Sequence, residues 1–206
     1  MHARRAVKPA SRPASARERI DRTAYELFSR HGIHAVGVDT ISARSGVAKM
    51  TLYRYYPSKA ELALAFLRRR EELWTRGLLQ REVERRARTP GERLLAVFDV
   101  FDKWFRRSDF EGCSFVKALL EHGDRGHPVR KAAQAHIETI RAFLRQLAAD
   151  AGGRDVDVFA RQLHMVMMGS IVAAYAGDRE AARRAKELGS LLLARAGIRI
   201  GKGAQA

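Results

Sequence analysis

The chain has 206 residues, one cysteine, and 39 Lys and Arg against 23 Asp and Glu, a formal charge of +16. With 46% apolar residues and a mean hydropathy of −0.32 it reads as a soluble globular chain with enough length to bury a core, which excludes a disordered polyelectrolyte. Cys113 alone closes no disulfide within the chain. The longest uncharged run, between Arg161 and Asp178, holds His164, Gly169 and Ser170 and is too short to span a membrane.

Residues 1–70 carry 15 basic and 5 acidic side chains, and residues 71–206 carry 24 and 18. A polyanion-binding surface is therefore expected in the first third, although charge alone does not separate DNA from RNA or an anionic membrane. Residues 1–15 combine Arg4, Arg5, Lys8 and Arg12 with Pro9 and Pro13. This reads as a flexible basic arm, with an organelle transit peptide as the compositional alternative. No apolar stretch follows it, so a secretory signal is not expected.

From Glu18 the pattern becomes helical, with Ile20, Ala24, Leu27 and Phe28 on one face and His31-Gly32 as the stop. Two short helices follow, Val38–Ser45 and Lys49–Tyr55, separated by Gly46-Val47, where a glycine suits the left-handed backbone of a tight turn. Ile41, Val47, Leu52 and Tyr56 are placed to lock this pair onto the first helix. Ala48, Lys49, Met50, Thr51, Tyr53, Arg54 and Tyr55 are left facing outward. Lys, Arg, Thr and Tyr on one short helix suit a major groove, where they meet base edges and phosphates together. Lys59, in the first turn of the fourth helix, is expected to add its charge to the helix dipole at a phosphate. Taken alone, the pair also reads as an ordinary helical hairpin with a solvated charged face.

Pro57, Pro90 and Pro128 mark further helix starts, and Ser58 with Glu61 and Thr89 with Glu92 fit capping boxes. The fourth helix carries Leu62, Ala63, Phe66, Leu67, Leu73, Trp74 and Leu78 on one face, and the fifth carries Leu94, Val97, Phe98, Phe101, Trp104 and Phe105. A short helix over Ser114–Glu121 and a long one from Val129 to Gly152-Gly153 follow, then two more over about 156–176 and 179–196. No stretch alternates with period two and Asn is absent, so hairpin signals are lacking. The expected fold is all-α, with about nine helices: a helix-turn-helix unit over 16–60 and a larger helical domain over 61–206.

The stretch SGVAKMTLYRYYPSKAEL (Ser45–Leu62) resembles the signature of the TetR family of transcriptional regulators, and the resemblance extends over about Glu18 to Leu67. It implies a homodimer that binds a palindromic operator in double-stranded DNA, acts in the cytoplasm as a repressor, and is released by a small apolar or aromatic effector. By position, Lys49 and Met50 approach bases with Ala48 and Thr51 beside them. Tyr53, Tyr55 and Lys59 clamp phosphates and Arg54 assists. The chain departs from the family where Gly37 replaces the usual Thr or Ser cap, Ala48 replaces Ser and Met50 replaces Gly. Base preferences of relatives therefore do not transfer, and Met50 offers apolar contact to a thymine methyl instead of a directional hydrogen bond.

Two readings compete for the aromatic fifth helix. Phe98, Phe101, Trp104 and Phe105 are core, or they wall an effector pocket with Phe115, His136, His164, Met165 and Met168. His136, between Ala133 and Ile137, reads first as a satisfied core histidine. Cys113, in Gly112-Cys113-Ser114-Phe115, reads as a buried thiol, with a thiol-responsive regulator as the sharper alternative. Gly169, Ser170, Ala173 and Ala174, with Leu188, Leu191 and Leu192, are the expected dimer surface, two helices from each protomer around a twofold axis. An activator and an all-helical enzyme remain as alternative classes. The second has no support from paired Glu-x-x-His, GxSxG, Walker or zinc-type spacing, and no metal or cofactor is expected.

Overall fold

The structure is a computed structural model that describes residues 14–200. The arm, with Arg4, Arg5, Lys8 and Arg12, falls almost wholly outside the described residues. Its last member, Ser15, does not belong to an arm. Ser15 Oγ accepts from Glu18 N–H while the Glu18 carboxylate accepts from Ser15 N–H, a complete capping box that starts α1 (Ala16–His31).

The short pair α2 (Val38–Ser45) and α3 (Lys49–Tyr55) follows, joined through Gly46 at φ 63, ψ 32, the left-handed conformation anticipated for the turn. Helix α4 starts at Lys59–Arg70 behind the Ser58 cap, continues as a π-helical stretch over Glu71–Gln80, and returns to α geometry over Arg81–Arg86. The sequence periodicity gave no sign of that widened stretch. Next come α5 (Pro90–Phe105), α6 (Ser114–Glu121), α7 (Pro128–Asp150), α8 (Val156–Tyr175) and α9 (Ala181–Arg195). Thr89 and Glu92 form the capping box read from sequence, and Pro90 and Pro128 each stand in the first turn of their helix. No strand occurs among the described residues.

Two apolar cores organise the molecule. The first joins α1, α2 and α3 through Ile20, Phe28, Ile41, Val47 and Leu52, and takes in Leu62 and Phe66 from α4, Phe115 and Ala118 from α6, and Val129 and Ala133 from α7. The second joins Leu79 and Val83 of α4 to α5, the C-terminal half of α7, α8 and α9. The first core thus crosses the boundary expected at residue 60. Helix α6 and the start of α7 pack on the N-terminal unit and not only on the body. Side chains this deeply buried each contribute about 1.5–3 kcal/mol relative to exposure, so the attachment is a strong one.

Candidate nucleic-acid interface

Helix α3 is seven residues long, and within it only Leu52 is buried. Leu52, Ile41, Val47 and Tyr56 point into the first core as expected. The Tyr56 hydroxyl bonds Asp21, and Arg17 lies over its ring, 5.9 Å from the centroid. This anchoring leaves Ala48, Lys49, Met50, Tyr53, Arg54 and Tyr55 exposed and Thr51 half-exposed on one continuous face. Met50 is its apex, with 80% of its surface in solvent.

Lys49 is already engaged. Its Nζ lies 2.7 Å from Asp39 Oδ1 on α2, and this pairing raises the Lys49 pKa and keeps the ammonium charged. Both partners are exposed, so exchanging the carboxylate for a phosphate or a base edge costs little. The sequence reading missed Asp39, and it missed Thr40 and Arg44, which α2 exposes beside α3. Their signal was the helical spacing from buried Ile41. Gly37 caps α2 without a side-chain bond, so the amides at that end remain open to an oxyanion.

Lys59 Nζ donates to the His34 carbonyl at 3.0 Å, and partial burial lowers its pKa. It ties α4 to the loop after α1 through one of its three donors. The same loop receives Glu121 from the end of α6, whose carboxylate accepts from the N–H groups of Ile33 and His34 at 2.8 and 3.0 Å. Lys117, one turn earlier on α6, donates to the Ser29 carbonyl near the end of α1 at 3.1 Å. Arg130 of α7 in turn caps α6 by donating to the carbonyls of Leu119 and His122 at 3.0 and 2.8 Å. Polar contacts from α4 and α6 therefore hold the end of α1 and the loop after it, and α3 packs in turn on α1 and α2.

The residues proposed as a pocket separate into three groups. Phe98 and Phe101 are fully buried in the second core, and Trp104 and Phe105 interlock with Trp74, Phe101 and Phe110 at ring separations of 4.3 to 5.7 Å. These aromatics pack on one another and are core. Phe115 and His136 come together, ring on ring at 3.4 Å and 8°. His164 is buried near them, and burial lowers both imidazole pKa values to about 4. Met168 is half-buried, whereas Met165 turns outward with 68% of its surface exposed, so it does not line an interior site. The Cys113 thiol is raised by burial, which opposes the thiolate that a thiol sensor needs.

On α8 and α9 the exposed large apolar side chains are Val158, Met165, Val172, Tyr175, Leu188 and Leu191, with Gly169 between. Ser170, expected on that surface, is buried instead and donates to the Met167 carbonyl at 2.7 Å. Ala173, Ala174 and Leu192 are half-covered by their own protomer. Among the described residues no cluster of His, Cys, Asp and Glu suits a metal, and no helix is long and apolar enough to cross a membrane.

Residues 20–66 match the family model described as bacterial regulatory proteins, tetR family, and residues 90–188 match that of a tetracyclin repressor-like C-terminal domain. The fold superposes on the crystal structure of a TetR-family transcriptional regulator from Streptomyces coelicolor with a TM-score of 0.80 at 30% identity, covering 90% of this chain and 91% of that one. A TetR regulator structure from Streptomyces avermitilis gives the same score and identity over 90% of this chain and all of the other. The HTH-type transcriptional activator FasR of Mycolicibacterium smegmatis is 30% identical over 148 residues, which span 72% of this chain and 64% of the activator's own length. With both halves matched and the α3 face built as a helix-turn-helix surface, the chain belongs to the TetR family of transcriptional regulators.

Proposed function

We propose that this chain is an effector-responsive repressor that binds a palindromic operator as a homodimer, each protomer seating α3 in a major groove. The observation that carries this reading is the α3 face itself. Seven residues bury one side chain and offer Lys49, Met50, Thr51, Tyr53, Arg54 and Tyr55 outward, on a unit whose sequence is strongly basic. Lys49 and Met50 stand at the N-terminal end of α3, where recognition helices meet bases, while the tyrosines and Arg54 lie along the flanks, where phosphates run.

Dimerisation through α8 and α9 is supported by their exposed apolar side chains, above all Met165, Val172, Leu188 and Leu191. Two copies related by a twofold axis bury this face and set two α3 helices about 34–36 Å apart, one turn of duplex. Regulation follows from α6, which packs through Phe115 beside His136 and holds the loop after α1 through Glu121. An effector that favours a shifted α6 also favours a rotated headpiece, and only such differential affinity releases the operator. The reading is tested by fluorescence anisotropy of a selected operator duplex. Tight, sequence-dependent binding by the dimer supports it, and equal affinity for scrambled duplex removes it.

A second reading, activation in place of repression, is favoured by one observation, that the relative FasR carries the name of an activator. Transcription from the bound promoter distinguishes the two.

A further inference from the structure

Between the two cores lies a polar seam. On α4, Leu67 belongs to the first core and Leu79 to the second, with Glu71 and Thr75 between them on the same face. On α7, Ala133 belongs to the first and Ile140 to the second, with His136 between. Glu71 Oε2 lies 3.8 Å from His136 Nδ1, and Thr75 stands one turn, roughly 5–6 Å, further along α4. This is the stretch where α4 widens to π geometry, a distortion that recurs at functional sites.

Two atoms in the seam have no partner. Thr75 is wholly buried and its Oγ1 makes no hydrogen bond, and the same holds for Nδ1 of His136, a residue 7% exposed. Each such orphan costs the free protein stability that a partner restores. A threonine hydroxyl both donates and accepts, and an imidazole nitrogen does either, so a ligand hydroxyl matches both. The seam also accepts a flat ring, since Phe115 already lies parallel on His136. A carboxylate is disfavoured. Glu71, paired with Arg76 at 3.3 Å, already sets one carboxylate 3.8 Å from His136, so a second one there lacks a counter-charge. Arg141, the cation facing the adjacent His164, is tied to Glu138 through one Nη while its buried Nε has no partner.

We infer that this seam is the effector subsite and that it takes an uncharged planar aromatic bearing a hydroxyl, which replaces the Phe115 ring on His136 and satisfies Thr75 and His136. The inference rests on the effector-responsive reading above and gives the effector its chemical class. Displacing Phe115 moves the helix that carries Lys117 and Glu121, so occupancy reaches the headpiece through a single eight-residue element.

Calorimetric titration of the full chain with 2-naphthol, 2-naphthoate and naphthalene tests this. Naphthol is expected to bind once per protomer, and the other two at least about tenfold more weakly, the loss of one good hydrogen bond or the gain of one repulsion. Thr75→Val and His136→Phe are each expected to weaken naphthol about tenfold. Thr75→Val also raises the Tm, because it removes a buried orphan hydroxyl, so lost binding is not mistaken for lost folding. Naphthoate binding as well as naphthol, undiminished affinity in both variants, or no naphthol heat up to its solubility overturns the subsite. Operator binding by the same samples separates the two readings. Thr75-dependent naphthol binding without any change in operator affinity sinks the effector-responsive reading and leaves the subsite standing. Intact operator binding without naphthol binding sinks the subsite alone.

Discussion

The Glu121 carboxylate accepts the backbone N–H of Ile33 at 2.8 Å and lies so close to Gly32 that a Cβ added there meets Oε1 at 1.9 Å. Gly32 adopts φ 81, ψ 166, a conformation open almost only to glycine. The end of α1 and the end of α6 are thus fitted to each other, a close approach between residues 89 positions apart in sequence. This contact joins the helix-turn-helix unit to the C-terminal helical body.

Gly32→Ala is expected to destabilise the chain by at least about 2 kcal/mol, from backbone strain together with displacement of Glu121. Glu121→Ala leaves two loop amides without a partner and costs about 1–3 kcal/mol. Urea unfolding monitored by circular dichroism measures both. Wild-type midpoints for the two variants contradict the fit.

Asp39→Asn frees Lys49 from its only ion pair among the described residues. Operator and non-specific affinity both rise, and the salt dependence steepens by about one unit in the log–log slope. Lys49→Ala lowers operator affinity by about tenfold or more and relaxes discrimination between sites. Anisotropy titrations across a salt series read both effects. An unchanged slope in the Asn variant means Lys49 does not reach the DNA.

Tyr53→Phe weakens operator and scrambled duplex by similar factors, because a hydroxyl on a phosphate positions without specifying. A loss confined to the operator assigns Tyr53 to base reading instead.

Much of the headpiece was legible in the sequence because its determinants are local. Gly46 sets one turn, the spacing of Ile41, Val47, Leu52 and Tyr56 sets the buried face, and the outward residues of α3 follow by subtraction. What escaped depends on partners far away in the chain. The bond from Lys59 to the His34 carbonyl exists only once that loop is brought beside α4. Met165 and Ser170 sit five positions apart on one helix and exchange their expected surfaces, since the stripe of small residues did not reveal which side the body covers. The π stretch leaves no trace in a pattern read at 3.6 residues per turn.

His136 and His164 titrate near 4 because burial disfavours their charged forms, below the ordinary value of 6.5. The unfolded chain therefore binds more protons between these values, and stability rises with pH through that window. It is fully present above about 6.5 and falls as pH drops toward 4, by about 1–2 kcal/mol per histidine at pH 5. Denaturant midpoints at pH 7.5 and 5.0 measure the fall, which is expected to shrink in His164→Phe. A midpoint independent of pH contradicts the burial of neutral imidazoles.

Leu191→Arg places a charge in the exposed apolar face of α8 and α9. The variant is expected to be monomeric by light scattering and to lose most operator affinity, since one headpiece binds one half-site. A dimer of undiminished affinity places the interface elsewhere.

The central claim is that α3 reads a twofold-symmetric DNA sequence. Its most direct test is selection of duplexes from a random library by the full chain, repeated with Lys49→Ala. The account predicts enrichment of two inverted half-sites with centres one helical turn apart, about 10 base pairs, or a multiple of it, and loss of that enrichment in the variant. No enriched sequence, or one retained unchanged by Lys49→Ala, contradicts it.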